Sequence, residues 1–183
     1  MYPQDEIRQA FEAQSLVEVY RDDIAEGHAY TGYIVDASPS LVLVHLLDDE
    51  IFVMNGYLIL RTDDITEVTP VSPLLEKIAD YHQLRPVVPQ GIILSSVAAA
   101  LESVDKQYPI FLVATEYLED PGEMHIGKLD QVSATEASIN EVNAMPAWHG
   151  IFTYSLDEIT CIGIDTHYLR ALEGVMRREN LYI

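Results

Sequence analysis

With 183 residues, 49% of them hydrophobic, the chain can bury a substantial core. Its 30 Asp and Glu residues outnumber 10 Lys and Arg residues, and the net charge of −20 is spread over both halves. Such a surface repels polyanions and favours basic protein partners or cations, which disfavours RNA as a partner. The sequence has no signal-peptide pattern and no apolar run that could span a bilayer, so we expect a cytoplasmic protein with no membrane association.

The first half of the chain predicts a helix, five strands and a second helix. The opening helix carries Ile7, Ala10 and Phe11 on one face. The five strands are "LVEVYRD", "HAYTGYIVD", "SLVLVHLLDD", "NGYLILR" and "ITEVTPV", each bounded by turn residues. The closing helix begins at Ser72, a good N-cap, with Pro73 at its first position.

The second half repeats this pattern. Gly32 matches Gly127 at an offset of 95, and "GYLILRTDDITEV" from Gly56 matches "GIFTYSLDEITCI" from Gly150 at an offset of 94. A second opening helix is predicted around "IILSSVAAAL", and a closing helix from Thr166. The prolines and glycine of "RPVVPQG" mark the boundary between the copies.

We therefore predict two tandem units, residues 1–90 and 91–183, related by internal duplication. Each unit is mainly β with flanking helices, and five short strands indicate a small SH3-like or Sm-like β-barrel. The aspartates Asp63 and Asp64 fit a sharp corner between the fourth and fifth strands, because Asp tolerates turn conformations.

Residues 4–70 resemble the Sm-like family of small RNA-associated barrels. Gly32, Asp36 and the "LVL" from Leu41 follow the first family signature, with Ser40 where the family has an asparagine. Arg61 follows the second signature, an apolar strand that ends in Arg-Gly, although the next residue here is a threonine.

The resemblance implies a base-binding pocket at these loops, with Asp36, Ser40 and Arg61 as its residues and Asp63 beside them. In the family an asparagine hydrogen-bonds the base, and a stacking side chain and the arginine complete the pocket. An alternative interpretation is that Arg61 bridges a nearby carboxylate as a structural residue. No Lys or Arg occurs between Arg21 and Arg61, so a groove that follows phosphates is not expected.

Other constellations give no support for catalysis or metal binding. The six histidines form no HxH or HExxH spacing, and the sequence contains no GxSxG, Walker or GxGxxG motif. Cys161 lies within an apolar strand and is typical of a small buried hydrophobe. We expect no metal, no cofactor and no enzymatic activity.

The prediction for function is a non-catalytic assembly or protein-interaction module. Exposed edges of the fourth and fifth strands would pair between barrels, giving a homo-oligomer, and a basic protein is a possible partner. In the competing arrangement, helices 72–83 and 166–178 cover the edges and the chain stays monomeric. The alternative function is RNA or nucleotide binding by the first barrel through Arg61 and the loop Asp36–Ser40. A hydrolase or metal enzyme is the third option.

Overall fold

In the computed structural model, the chain divides into two units, residues 1–90 and 91–183. The structure describes residues 3–118, 123–143, 145, 147–179 and 181. Among these residues, no helix combines the length and the apolar character needed to cross a bilayer.

The first unit is an antiparallel sheet with helices at both ends of its sequence. Its elements are α1 (Pro3–Ala13), β1 (Leu16–Tyr20), β2 (Ala29–Ala37), β3 (Leu41–Asp48), β4 (Val53–Arg61), a short 3₁₀ helix (Thr62–Asp64), β5 (Glu67–Pro70) and α2 (Pro73–Tyr81). The strands lie in the order β5-β1-β2-β3-β4. Strand β3 supplies much of the core, because Leu41, Val42, Leu43 and Val44 are all buried.

The second unit has the same sequence of elements apart from the 3₁₀ helix. They are α3 (Val97–Asp105), β6 (Phe111–Ala114), β7 (His125–Val132), β8 (Glu136–Val142), β9 (Trp148–Ser155), β10 (Cys161–Ile164) and α4 (His167–Arg178). The strands lie in the order β10-β6-β7-β8-β9. Phe111 of β6, Ile139 of β8 and Ile164 of β10 are fully buried and form the core of this unit.

Strand order and register correspond between the units. The last strand of each unit pairs with the first, and the remaining strands pair in succession. Gly32 lies opposite Leu46, and Gly127 lies opposite Glu141, both at an offset of 95. At both positions a Cβ atom would collide with a backbone carbonyl of the neighbouring strand, His45 or Asn140, which explains the glycine.

The capping prediction is confirmed at both closing helices. The Ser72 hydroxyl accepts a hydrogen bond from the Leu75 amide at 3.3 Å. The Thr166 hydroxyl accepts one from the Leu169 amide at 3.2 Å. These side chains satisfy backbone donors that the first helical turn leaves free.

The mainly β class with flanking helices is confirmed, and all the strand pairs described within the units are antiparallel. Within each unit the strand order does not close on itself. Among the described residues, no ladder joins β4 to β5 or β9 to β10. Closure into barrels and origin by duplication stay predictions.

Candidate functional site

The predicted loop Asp36–Ser40 and the corner after β4 lie side by side. The Ser38 hydroxyl accepts hydrogen bonds from the amides of Ser40 (3.2 Å) and Leu41 (2.9 Å), which fixes a tight turn. The Thr62 amide then donates to the Ser40 carbonyl at 3.0 Å. The backbone of the two predicted segments is therefore joined directly.

The four predicted site residues occupy different environments within this region. Arg61 ends β4, is half-buried and lies opposite Leu41 of β3. Asp36 is half-buried in β2, and its Oδ1 accepts a hydrogen bond from the Ala37 amide at 2.8 Å. Ser40 and Asp63 are exposed. The fold brings the segments of Ser40 and Arg61 together, whereas one Asp36 carboxylate oxygen is engaged by its own loop.

A groove of about 320 Å³ lies beside this turn, between the turn and helix α1. Ile7 and Phe11 line it from the helix, and Pro39 and Thr62 line it from the loops. Its cation is Arg8, whose Nη2 donates to Asp5 Oδ1 at 2.7 Å. None of the four predicted site residues lines this groove, so its walls differ from those of the implied base-binding pocket.

A buried ion pair that no sequence pattern predicted lies at the same corner. Arg21 follows β1, and its Nη2 lies 3.7 Å from Asp64 Oδ2. The two side chains are only 2% and 6% exposed. Asp64 therefore points inward while Asp63 faces solvent. The burial of an arginine leaves no local pattern in the sequence, because the contact joins residues 43 positions apart.

The second unit builds the corresponding corner with different side chains. Thr115 stands in the place of Arg21, and Glu158 in that of Asp64. Thr115 is buried, whereas Glu158 is only half-buried. Ser155 replaces Arg61, so neither arginine of the first corner has a counterpart.

Strand β9 presents an exposed edge without charged Lys, Arg, Asp or Glu side chains. It pairs with β8, with Ser155 opposite Glu136. One residue further along the same register, the Leu156 amide donates to the Thr135 carbonyl at 2.8 Å, which shows that the backbone of Leu156 faces β8. Since hydrogen-bonding direction alternates along a strand, the backbone groups of Ile151, Thr153 and Ser155 face away from β8. The side chains of Ile151 and Phe152 are 57% and 41% exposed.

Strand β5, at one end of the first sheet, presents a different edge. The Val68 amide donates to Glu6 Oε2 of helix α1 at 3.4 Å. Pro70, two residues further, has its nitrogen on the same side of the strand but carries no N–H. The outward donors of β5 are thus already used or missing. The helix that reaches this edge is α1, not the closing helix α2 that the sequence analysis considered.

The histidines take part in packing rather than in a cluster of metal ligands. His45 stacks on Tyr57, and its Nδ1 accepts a hydrogen bond from the Val87 amide at 3.1 Å. His125 Nδ1 lies 3.5 Å from Glu141 Oε1, to which the Tyr154 hydroxyl also donates. Within the described ranges, no three His, Cys, Asp or Glu side chains come together to hold a metal.

Comparison with family models, curated proteins and solved structures finds no match to this chain. The assignment of a function therefore depends on the geometry of the corner and of the strand edges.

Proposed function

We propose that the chain is a non-catalytic assembly module, which associates with further copies through an exposed strand edge. The observation that carries this proposal is the edge of β9. It offers the outward backbone groups of Ile151 and Thr153 and the outward Ser155 N–H, all unpaired within the described fold, next to exposed apolar side chains. The Ser155 carbonyl already accepts the Glu158 N–H at 3.1 Å. An added strand gains affinity from backbone hydrogen bonds and specificity from alternate side chains.

The composition of β9 supports this role. Folded proteins usually protect an exposed edge with lysine, proline or inward-pointing charge, and "WHGIFTYS" contains none of these. Its exposed Ile151 and Phe152 would lose contact with water on pairing, which favours association. The chain as a whole carries −20, so an uncharged edge is a place where two copies can approach with little local repulsion.

The test is a charge placed on the edge, compared with the same charge elsewhere. Ile151→Lys introduces a lysine at the centre of β9, and Ile51→Lys introduces one at an equally exposed isoleucine in the β3–β4 turn, 61% exposed. Sedimentation velocity at micromolar concentration should show an oligomer for the wild type and for Ile51→Lys. Ile151→Lys should sediment as a single chain. Equal oligomerisation by both variants would contradict the proposal.

A basic protein is the other partner class that the charge favours, and it would act on a different surface. No acidic side chain lies on β9 itself, so a lysine-rich strand finds no carboxylate there. Binding of such a partner should therefore survive Ile151→Lys and weaken steeply with salt.

A second candidate function is RNA or nucleotide binding by the first unit. It is supported by the direct bond between the Thr62 amide and the Ser40 carbonyl, which holds Arg61 beside the Asp36–Ser40 loop. Gel-shift at low salt tests it, with Arg61→Ala as the variant and Arg178→Ala, an exposed arginine of α4, as its control. Binding that only Arg61→Ala abolishes would support this function, and no retardation at micromolar protein would remove it.

A further inference from the structure

We infer that the occupant of the β9 edge is β9 of a second copy, paired antiparallel about a two-fold axis at Thr153. This inference rests on the proposed function and gives it one geometry. Its competitor is pairing of β9 with β5 of the next copy, which would build rings or open chains rather than a closed dimer.

The backbone donors of β5 argue against pairing of β9 with β5. An incoming strand needs outward N–H donors, and β5 has two outward nitrogen positions, Val68 and Pro70. Glu6 Oε2 already accepts the Val68 N–H, and Pro70 has none to give. Pairing at β5 would require helix α1 to release Val68 and would still leave a gap in the ladder at Pro70.

The register of β9 is compatible with itself. Its outward residues Ile151, Thr153 and Ser155 are spaced evenly about Thr153. An antiparallel second copy with Thr153 opposite Thr153 therefore places Ile151 opposite Ser155 twice. In each pair the Ser155 N–H can donate to the Ile151 carbonyl. The Ile151 N–H can donate to the second lone pair of the Ser155 carbonyl, whose first accepts the Glu158 N–H at 3.1 Å. Phe152 then lies opposite Tyr154 of the second copy on both sides of the axis, an aromatic cross-strand pair of a kind that stabilises sheets.

Charge favours this occupant as well. A strand that enters the β9 edge meets no Asp, Glu, Lys or Arg on the strand, so an uncharged apolar strand is its complement. Strand β9 itself has that composition, whereas β5 carries Glu67 and β1 carries Glu18. Pairing about a two-fold axis uses the same patch on both copies and leaves no β9 edge free, so the assembly stops at a dimer.

Site-specific crosslinking tests the geometry. Cys161, the single cysteine of the sequence, is buried and is first replaced by alanine. Thr153→Cys in this background should then crosslink to itself under mild oxidation, because residues opposite one another in a hydrogen-bonded pair have Cα atoms about 5.5 Å apart, within disulfide range. Ile51→Cys, at another exposed position, reports crosslinking by random collision.

Each outcome distinguishes the geometry from the function. Self-crosslinking of Thr153→Cys well above that of Ile51→Cys supports the two-fold dimer. Crosslinking that appears only when Thr153→Cys is mixed with a Thr69→Cys chain supports β9–β5 pairing, which overturns the geometry but leaves assembly in place. A wild-type chain that stays monomeric overturns both.

Hydrogen exchange of the unmodified protein provides a second measurement that needs no variant. Rising concentration should slow exchange in the segment Ile151–Ser155 and leave Glu67–Pro70 unchanged. Protection that grows at Glu67–Pro70 would overturn the inference.

Discussion

The two units share their backbone connections and differ in the side chains that surround them. In both, a serine fixes the turn between the second and third strands, with Ser38 bonding Leu41 and Ser133 bonding Glu136. In both, a threonine hydroxyl near the fifth strand bonds the residue just past the first strand, Asp22 or Glu116.

The differences lie at the corner and at the strand edges. The first unit has a buried Arg21–Asp64 pair and a β5 edge closed by helix α1. The second unit has Thr115 at the corner and an open, uncharged β9 edge. Shared backbone bonds explain the fold of each unit, so the unshared side chains are the better guide to function.

The largest expected effect comes from breaking the buried ion pair of the first unit. Arg21→Met leaves the Asp64 carboxylate buried without its cation, which should lower the free energy of unfolding by about 3–5 kcal/mol. Urea denaturation measures this loss. The double variant Arg21→Met/Asp64→Leu removes both charges and should recover most of it. A double variant as unstable as Arg21→Met would show that the charge pair is not the cause.

The matched glycines should respond alike in both units. Gly32→Ala and Gly127→Ala each force a Cβ against a backbone carbonyl, and each should lower the free energy of unfolding by about 1–3 kcal/mol. Gly174→Ala in α4 is the control, because open space surrounds that position and alanine should stabilise the helix by up to about 1 kcal/mol. A large loss at only one of the two strand glycines would argue against equivalent positions.

Tyr33 of the first unit gives a smaller, pH-dependent effect. Its hydroxyl donates to the Leu84 carbonyl at 3.2 Å, and burial raises its pKa above the ordinary value. A raised pKa means that the folded chain holds the proton more tightly. This contribution to stability is therefore complete below pH about 10 and is lost as the pH rises through the folded pKa.

Tyr33→Phe should consequently cost about 0.5–1.5 kcal/mol at neutral pH, because the hydrogen bond is lost. The same variant should show a shallower decline in stability above pH about 10 than the wild type. Tyr168→Phe, at an exposed tyrosine of α4, is the control and should change neither quantity. If the free energy of unfolding fell equally steeply above pH about 10 in the wild type and in Tyr33→Phe, the raised pKa of Tyr33 would be contradicted. Thermal or urea unfolding across this pH range provides the measurement.

The smallest effect concerns the charge that both units carry. Salt screens repulsion among the excess carboxylates, so the melting temperature at neutral pH should rise between low and moderate salt. Calorimetry measures this shift. A flat or falling melting temperature would indicate that the carboxylates are already neutralised by ion pairs or bound cations.

The strands and closing helices could be predicted from the sequence because their signals are local. An apolar run such as "LVLVHLL" or a hydroxyl cap such as Ser72 can be recognised from a few consecutive residues. The predicted start of the second unit's opening helix was less accurate. The apolar pattern included Ile93, whereas α3 begins at Val97. The Ile93 amide instead bonds the Ser103 hydroxyl at 2.9 Å.

The candidate sites depended on contacts that no local pattern contains. The bond from Val68 to Glu6 joins residues 62 positions apart, and the burial of Arg21 depends on Asp64. Composition alone predicts open edges for both the fourth and the fifth strand, because both strands are mainly apolar. Helix α1, whose Glu6 accepts the Val68 N–H, and Pro70, which has no N–H, distinguish the edge of β5 from that of β9.

Light scattering of the wild-type chain tests the central claim, that the open β9 edge makes this an assembly module. Over a tenfold range of micromolar concentration, the mass should rise toward twice the 20.6 kDa of one chain and then remain constant, as expected for a dimer that closes on itself. A mass that stays at 20.6 kDa across the whole range would contradict the claim.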